Sequence, residues 1–255
     1  MAKTKTVSRA RAKTEERIMI KDELEPDEFF SRPPMKSKLR LREFCWTERQ
    51  KEFFKLGLSE DTRIMFVNGP AGTSKSLLSV YCGLKLMNYK TVTDMMYLRS
   101  AVESSDAKLG FLPGTAEDKL AFYNLPFLDK LDELLTSTNP EKLEREKRIS
   151  MFPVNFARGM SWNGKFIILD EAQNCTQKEI TTVMTRLGHG SRLFILADPM
   201  QTDLKNGIGA FEKMFSLFTD EDSQSRGIHT FTFNEDDIMR SELVKYVTKK
   251  INRLG

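Results

Sequence analysis

The sequence contains few of the residues from which disulfide frameworks and zinc sites are built. It has three cysteines, Cys45, Cys82 and Cys175, and two histidines among 255 residues. The cysteines are widely spaced and form no Cys-x-x-Cys or Cys/His group, so the pattern favours neither a disulfide framework nor a zinc site. We therefore expect all three cysteines to be reduced residues in or near the core.

Long apolar runs are also missing. A membrane-spanning helix needs about 20 consecutive apolar residues, and no stretch of the sequence approaches that length. Residues 1–13 are basic and lack the apolar centre of a secretory signal peptide. These absences predict a protein without a membrane partner that is made and kept in the cytoplasm.

The chain has no strong excess of either charge, and its net charge of +4 is concentrated at one end. Residues 1–13 contain five cations and no acid. Their summed charge exceeds the net charge of the whole chain, so the remaining residues carry a slight net negative charge. A basic arm can bind phosphate backbones through counterion release. Flexible cationic termini also serve as solubility tails, and both interpretations stay open.

The sequence does contain a regular alternation of short β-type runs with helical periods, which begins at Trp46. Residues 1–45 instead mix charges and Pro33-Pro34 with little apolar periodicity, which predicts a basic N-terminal extension with few packing contacts. The alternation over residues 46–255 predicts an α/β domain, with a mostly parallel sheet flanked by helices. The predicted strands are 64–67, 95–98, 166–169, 193–196 and 230–233, and the predicted helices are 77–87, 119–135, 178–187, 210–218 and 238–251.

Two local patterns add detail to this layout. Thr176 and Glu179 have the spacing of a capping box, and Asn234 precedes a run of acids that favours a helix N-terminus. The stretch 139–148 has charged side chains at seven of its ten positions. We interpret it as a solvated helix or a surface insertion.

A phosphate-binding loop is indicated between the first predicted strand and the helix that follows. In such a loop, backbone N–H groups and the positive end of the helix bind phosphates, a lysine adds a point charge and a hydroxyl binds Mg²⁺. A glycine-rich turn without this role would not require Lys-Ser at the start of the helix. The candidate nucleotide-binding residues are Gly69, Pro70, Ala71, Gly72, Thr73, Ser74, Lys75 and Ser76, with Ser76 as a candidate Mg²⁺ ligand.

Ser74 departs from the loop pattern, which has glycine immediately before the lysine. A Cβ at this position would crowd the phosphate, or would cost about 1 kcal/mol if the backbone needs a positive φ. Either the loop tolerates the serine or the nucleotide site is degraded. We expect tolerance, because a second motif of the site is intact.

That second motif is a run of four apolar residues, 166–169, followed by Asp170 and Glu171. Asp170 can hold Mg²⁺, and Glu171 can orient or deprotonate an attacking water. Open α/β sheets bind ligands at the carboxyl ends of their strands. Two acids here could also serve only to favour a helix N-terminus. Adjacent carboxylates beside a phosphate loop favour hydrolysis over nucleotide storage.

These motifs resemble those of the PhoH-like proteins, whose ATPase domain is similar to the first, RecA-like motor domain of superfamily 1 helicases. The resemblance runs from about Trp46 to the C-terminus. The departures are Ser74, Ala197 where the family usually has glycine, and the long N-terminal extension. The blocks that carry the resemblance are the loop itself, the run Asp170-Glu171-Ala172-Gln173-Asn174, and residues 47–50, 97–103, 109–114, 153–159, 185–188 and 197–203.

The resemblance implies roles for several amides. Gln50 matches the helicase-type glutamine that reads adenine, and a side-chain amide can pair with both the N6 amine and N7 of that base. It could equally be an ordinary polar residue on a first helix. Gln201, with Asp198, matches the motif that senses the γ-phosphate, although Gln173 could take that duty instead.

The resemblance also implies an assembly. Superfamily 1 helicases complete the ATP site with an arginine from a second motor domain, so here the arginine would come from a neighbouring subunit of a homo-oligomeric ring, which the family implies is a hexamer. Arg158, Arg186 and Arg240 are the candidates, and each could also be a surface ion-pair residue. Arg99 lies in a block that resembles a helicase segment touching the nucleic-acid strand.

The resulting prediction is a Mg²⁺-dependent ATPase that couples ATP hydrolysis to the binding or remodelling of RNA or single-stranded nucleic acid. One alternative is an ATP-gated binding or assembly protein with slow or absent hydrolysis, for which Ser74 is the argument. A P-loop kinase is a further alternative, although no Arg-rich lid is visible in the sequence.

Overall fold

The computed structural model of the protein describes residues 32–100, 116–157, 162–198, 201, 209–239 and 241–251. Its strands are β1 (Ile64–Asn68), β2 (Asp94–Arg99), β3 (Ile149–Pro153), β4 (Lys165–Asp170), β5 (Arg192–Ala197) and β6 (Ile228–Thr232). Its α-helices are α1 (Glu48–Leu58), α2 (Lys75–Asn88), α3 (Ala116–Leu134), α4 (Pro140–Arg145), α5 (Gln177–Met184), α6 (Ala210–Leu217), α7 (Glu221–Ser225) and α8 (Glu242–Ile251).

The strands form one six-stranded sheet in the order β3-β2-β4-β5-β1-β6. Every neighbouring pair in this sheet is parallel. The predicted α/β P-loop fold is therefore confirmed, and each predicted strand is present with bounds that shift by only one or two residues.

Strand β3 was not predicted from the sequence. It lies at the edge of the sheet, where β2 is its partner among the described strands, and only Ile149 of its residues is fully buried. A half-buried edge strand of five residues that ends in Pro153 does not produce the apolar run by which the central strands were recognised.

The core consists of two apolar layers, one on each face of the sheet. Alternate residues of β1 belong to opposite layers. Met65 and Val67 pack with α1, α2 and α3, whereas Ile64 and Phe66 pack with α5 and α6. Strands buried on both faces are what parallel sheets require. The two helical layers leave the carboxyl ends of the strands to form the edge where the site lies.

The predicted helices are present, with differences at their ends. The capping box of α5 is confirmed, because Thr176 and Glu179 exchange both hydrogen bonds. The last helix begins at Glu242 and not at 238, since the acids after Asn234 form a short 3-10 turn instead. In that turn the Asp237 carboxylate accepts a hydrogen bond of 2.7 Å from the Asn234 N–H.

The expectation of few packing contacts before Trp46 is wrong for residues 32–45. Leu39 is buried, and both of its backbone groups hydrogen-bond to the Asn88 side chain, at 2.7 and 2.9 Å. Leu41 forms a β-bridge with Leu135 at the end of α3. The apolar residues of this extended segment are spaced irregularly, with neither a helical nor a β period. The sequence pattern therefore did not indicate that they pack against the core. Residues 1–31 lie outside the described residues.

The environment of the cysteines and the charged stretch 139–148 were also predicted from the sequence. Cys82 and Cys175 are buried as expected, but Cys45 is exposed. The charged stretch 139–148 contains α4, a surface helix that buries Leu143 in the core. None of the helices in the described ranges is both long and apolar enough to span a membrane.

Candidate nucleotide site

A cavity of about 730 Å³ lies at the carboxyl ends of β1, β4 and β5. Because β5 lies between β1 and β4, the loop after β1 and the acids that end β4 meet across the end of β5. Helix α3 supplies a further wall. The predicted site residues that line the cavity are Ala71, Gly72, Ser74, Lys75, Ser76, Asp170, Glu171 and Gln201, joined by Asp198 and Ala197.

The remaining loop residues shape the loop from behind. A Cβ on Gly69 would lie 2.8 Å from the Cβ of Phe233, so only glycine allows this close approach. Thr73 is fully buried, and its hydroxyl donates a hydrogen bond of 2.9 Å to the Pro70 carbonyl. Gly72 has a φ of 86°, a left-handed conformation that favours glycine. The loop is therefore held in one shape by packing and by its own hydrogen bonds.

Ser74 adopts the left-handed conformation as well, with φ 63° and ψ 20°. It occupies the N-cap position of α2, but its side chain makes no capping hydrogen bond. A side chain in this region costs about 1 kcal/mol, which glycine would not incur. The serine is thus accommodated at a strained position on the wall of the cavity, where such strain is typical of functional sites.

The Lys75 ammonium is held by its own loop. Its Nζ donates hydrogen bonds to the carbonyls of Gly69 at 2.5 Å and Pro70 at 2.9 Å. Burial lowers the pKa of this ammonium, and the negative charges of Asp198, Asp170 and Glu171 oppose that shift. A cation in this setting, facing a cavity, favours an anionic ligand.

Asp170 is buried and oriented by two hydrogen bonds. One carboxylate oxygen accepts a bond of 2.5 Å from the Tyr97 hydroxyl, and the other accepts a bond of 3.0 Å from the Glu171 N–H. Burial and the negative charge of Asp170 raise the pKa of Tyr97, so this phenol remains a donor. Sequence reasoning missed Tyr97 as a positioning residue. Its one signal was a hydroxyl within the otherwise apolar run 95–98.

Glu171 also has both carboxylate oxygens engaged. One lies 3.7 Å from the Arg99 guanidinium, and the other accepts a hydrogen bond of 2.6 Å from the Gln173 amide. The carbonyl oxygen of the same Gln173 amide accepts a bond of 3.1 Å from the Asp198 N–H. Gln173 therefore ties the end of β4 to the end of β5, whereas Gln201 is exposed on the cavity wall.

Gln50 and Arg186 are not among the described residues that line the cavity. Gln50 is buried, and its amide oxygen accepts a hydrogen bond of 3.0 Å from the Thr47 N–H, which closes the capping box of α1. Arg186 is half-buried just after α5 and is not among the described residues that line the cavity. Arg158 and Arg240 lie outside the described residues. The roles of these four residues stay predictions.

The residues present fit Mg²⁺. Ser76 and Asp170 line the same cavity and supply a hydroxyl and a carboxylate oxygen. Mg²⁺ prefers such oxygen ligands and usually takes only one or two from the protein, with water and phosphate oxygens completing its shell. The hydrogen bond from Tyr97 fixes the Asp170 carboxylate without closing it off from the cavity.

The parallel sheet, the loop after β1 and the acid pair Asp170-Glu171 at the end of β4 define a nucleotide-binding P-loop protein of the NTPase type. The chain belongs to the PhoH-like family, since the family model described as PhoH-like protein matches residues 45–252.

Relatives from several bacteria agree with this assignment. The chain is 34% identical over 185 residues to a PhoH-like protein of Mycobacterium tuberculosis, a match that covers 72% of this chain and 51% of the relative. It is 32% identical over 212 residues to a PhoH-like protein of Synechocystis, with 81% and 61% covered. It is also 31% identical over 188 residues to Protein PhoH2 of Bacillus subtilis, with 68% and 42% covered. The chain thus spans about half the length of the relatives it matches.

The left-handed conformation of Ser74 leads to a stability prediction. Ser74→Gly relieves the strained Cβ, whereas Ser74→Ala keeps it, so the glycine variant should be more stable than the alanine variant by about 1 kcal/mol. Urea unfolding of the wild type and both variants measures the difference. An alanine variant as stable as the glycine variant would show that this position carries no strain.

Proposed function

We propose that the protein binds Mg²⁺-ATP in the cavity and hydrolyses it, and that hydrolysis is coupled to the binding or remodelling of RNA or single-stranded nucleic acid. The observation that carries this proposal is that Lys75 and Glu171 line one cavity. Lys75 begins the helix after β1 and Glu171 directly follows β4, and β5 lies between these two strands. Membership of the PhoH-like family supports the nucleotide-binding part.

The loop and its lysine suit the triphosphate. Backbone N–H groups at the start of α2 and the positive end of the helix favour phosphate oxygens. The Lys75 Nζ, which now donates to two loop carbonyls, would exchange them for phosphate oxygens. Ser76 and Asp170 would hold Mg²⁺, which supplies positive charge to the phosphates when bound.

Hydrolysis needs a base for water, and Glu171 is placed for this role. Its carboxylate would accept a proton as the water oxygen forms a bond to the γ-phosphorus, while the bond to the β–γ bridging oxygen breaks and ADP leaves with that electron pair. Gln201, on the same cavity wall, would orient the water or the γ-phosphate. Gln173 holds Glu171 in position through its 2.6 Å hydrogen bond.

The pairing of Arg99 with Glu171 supports a link to nucleic acid. Arg99 belongs to the block that resembles a strand-contacting helicase segment, and its guanidinium lies 3.7 Å from the Glu171 carboxylate. Guanidinium groups bind phosphates well. A nucleic-acid phosphate that engages Arg99 would weaken its hold on Glu171 and leave this carboxylate freer to act on water.

The activity prediction concerns Glu171→Gln. The amide keeps the size of the side chain but cannot accept the proton, so we expect hydrolysis to fall by about 100-fold or more while ATP binding persists. Steady-state hydrolysis should be measured with RNA, single-stranded DNA and duplex DNA over a range of salt concentrations. We expect RNA or single-stranded DNA to stimulate the wild type, with stimulation that falls steeply as salt increases.

Other outcomes of this assay separate the alternatives. A wild type that binds ATP but hydrolyses it no faster than Glu171→Gln would favour an ATP-gated binding protein. Labelled phosphate transferred from ATP to an acceptor other than water would favour a kinase. Hydrolysis by the wild type that no nucleic acid changes would contradict the coupling.

We further propose a homo-oligomeric ring, in which Arg158, Arg186 or Arg240 reaches the cavity of a neighbouring subunit. The segment that leads into α8, and α8 itself, support this arrangement. Met239 lines the cavity and its N–H donates a hydrogen bond of 2.9 Å to the Gly72 carbonyl. The helix that follows exposes large apolar side chains, namely Leu243, Val244, Tyr246 and Val247. An apolar face of this kind typically marks a protein interface.

The ring leads to a prediction about protein concentration. An arginine supplied in trans contributes several powers of ten to turnover, so hydrolysis per chain should rise as concentration passes through the assembly range. Light scattering on the same samples measures the assembly state. Constant hydrolysis per chain across a transition from monomer to oligomer would contradict an arginine supplied by a neighbour.

A further inference from the structure

Helix α3 brings a second lysine to the nucleotide cavity. Pro126, Asp129, Lys130 and Glu133 of this helix line the cavity together with the phosphate loop and the acid pair. Nothing in the sequence distinguishes Lys130 from the other lysines, because its position on the cavity depends on how α3 packs against the end of the sheet.

The Lys130 ammonium is available to a ligand. Its side chain is half-buried, and its Nζ donates one hydrogen bond of 2.7 Å to the carbonyl of Pro126, one turn earlier. Among the described residues, Arg99 forms an ion pair with Glu171, whereas Lys130 forms no ion pair with either acid. An ammonium has three donors, so its contacts with described residues leave capacity for an anion.

Lys130 lines the same cavity as Lys75 and the acid pair Asp170 and Glu171. Burial lowers the pKa of the Lys130 ammonium, and so does the positive charge of Arg99, whereas the negative charges of Asp170, Asp129 and Glu171 oppose that shift. Asp170 and Glu171 also act on Lys75. Two ammonium groups from different elements thus lie within the field of one acid pair. Partly desolvated cations of this kind are stabilised when an anionic ligand replaces a neutral carbonyl as their partner.

We propose that Lys130 binds the γ-phosphate of the bound nucleoside triphosphate, as a second cation supplied by the same chain that supplies Lys75. The inference rests on the proposed nucleotide binding and adds a residue to it. The acid pair marks where the γ-phosphate and the attacking water meet, and Lys130 lines the cavity together with this pair and with Lys75. The flexible lysine stem allows the short movement from the Pro126 carbonyl to a phosphate oxygen.

The expected signature is a preference for ATP over ADP that depends on Lys130. A charge-assisted hydrogen bond is worth about 10- to 100-fold in affinity. Lys130→Gln, which removes the charge but keeps a polar side chain, should lose about this factor for ATP and little for ADP. Lys130→Arg, which keeps the charge, should retain most of the preference.

The test is a titration of fluorescently labelled ATP and ADP with Mg²⁺, followed by fluorescence anisotropy. The matched control is Lys142→Gln on α4, an exposed lysine whose ammonium pairs with Glu146 at 3.9 Å. Thermal unfolding of each variant without nucleotide shows whether the fold is intact. If Lys130→Gln does not fold, the comparison of Lys130→Arg with the wild type still decides, because loss of the ATP preference in a folded, charged variant would overturn the inference.

The outcomes separate this inference from the proposed function. A wild type that binds neither nucleotide would contradict the proposed function itself. A wild type that binds ATP with an affinity equal to that of Lys130→Gln would overturn only the role of Lys130. Equal losses for ATP and ADP would likewise overturn the assignment to the γ-phosphate.

Discussion

The Lys75 ammonium requires polar partners because it lies in a partly desolvated cavity. Its own loop meets this requirement, with the carbonyls of Gly69 and Pro70 turned toward the Nζ. The same loop has left-handed backbone at Gly72 and Ser74. The strained Ser74 thus directly precedes the lysine that faces the cavity, and under the proposed function a triphosphate would replace the carbonyls as the partner of that lysine.

The parallel sheet supplies the negative side of the same arrangement. Its strands end at one edge, so the acids after β4 and Asp198 after β5 meet the loop after β1. Tyr97 and Gln173 then fix these acids by hydrogen bonds from neighbouring elements. A cavity that combines ammonium groups with oriented carboxylates can hold phosphates, a cation and an attacking water together.

The sequence predicted the parts of this structure that have local signals. Buried central strands produce apolar runs, and the loop 69–76 with Asp170 and Glu171 carries its chemistry in consecutive residues. Features that depend on tertiary packing were not predicted. They include the edge strand β3, the contact of Leu39 with Asn88, and the positions of Tyr97 and Lys130. The resemblance to helicases suggested that Gln50 reads adenine. In the structure the Gln50 side chain caps α1, and this contact does not test the suggested role.

A crystal structure with Mg²⁺ and a non-hydrolysable ATP analogue would show whether the phosphate loop binds ATP. We expect the triphosphate in the cavity of about 730 Å³, with the Lys75 Nζ moved from the carbonyls of Gly69 and Pro70 to phosphate oxygens. An analogue bound elsewhere, with Lys75 still bonded to both carbonyls, would rule out this cavity as the ATP site.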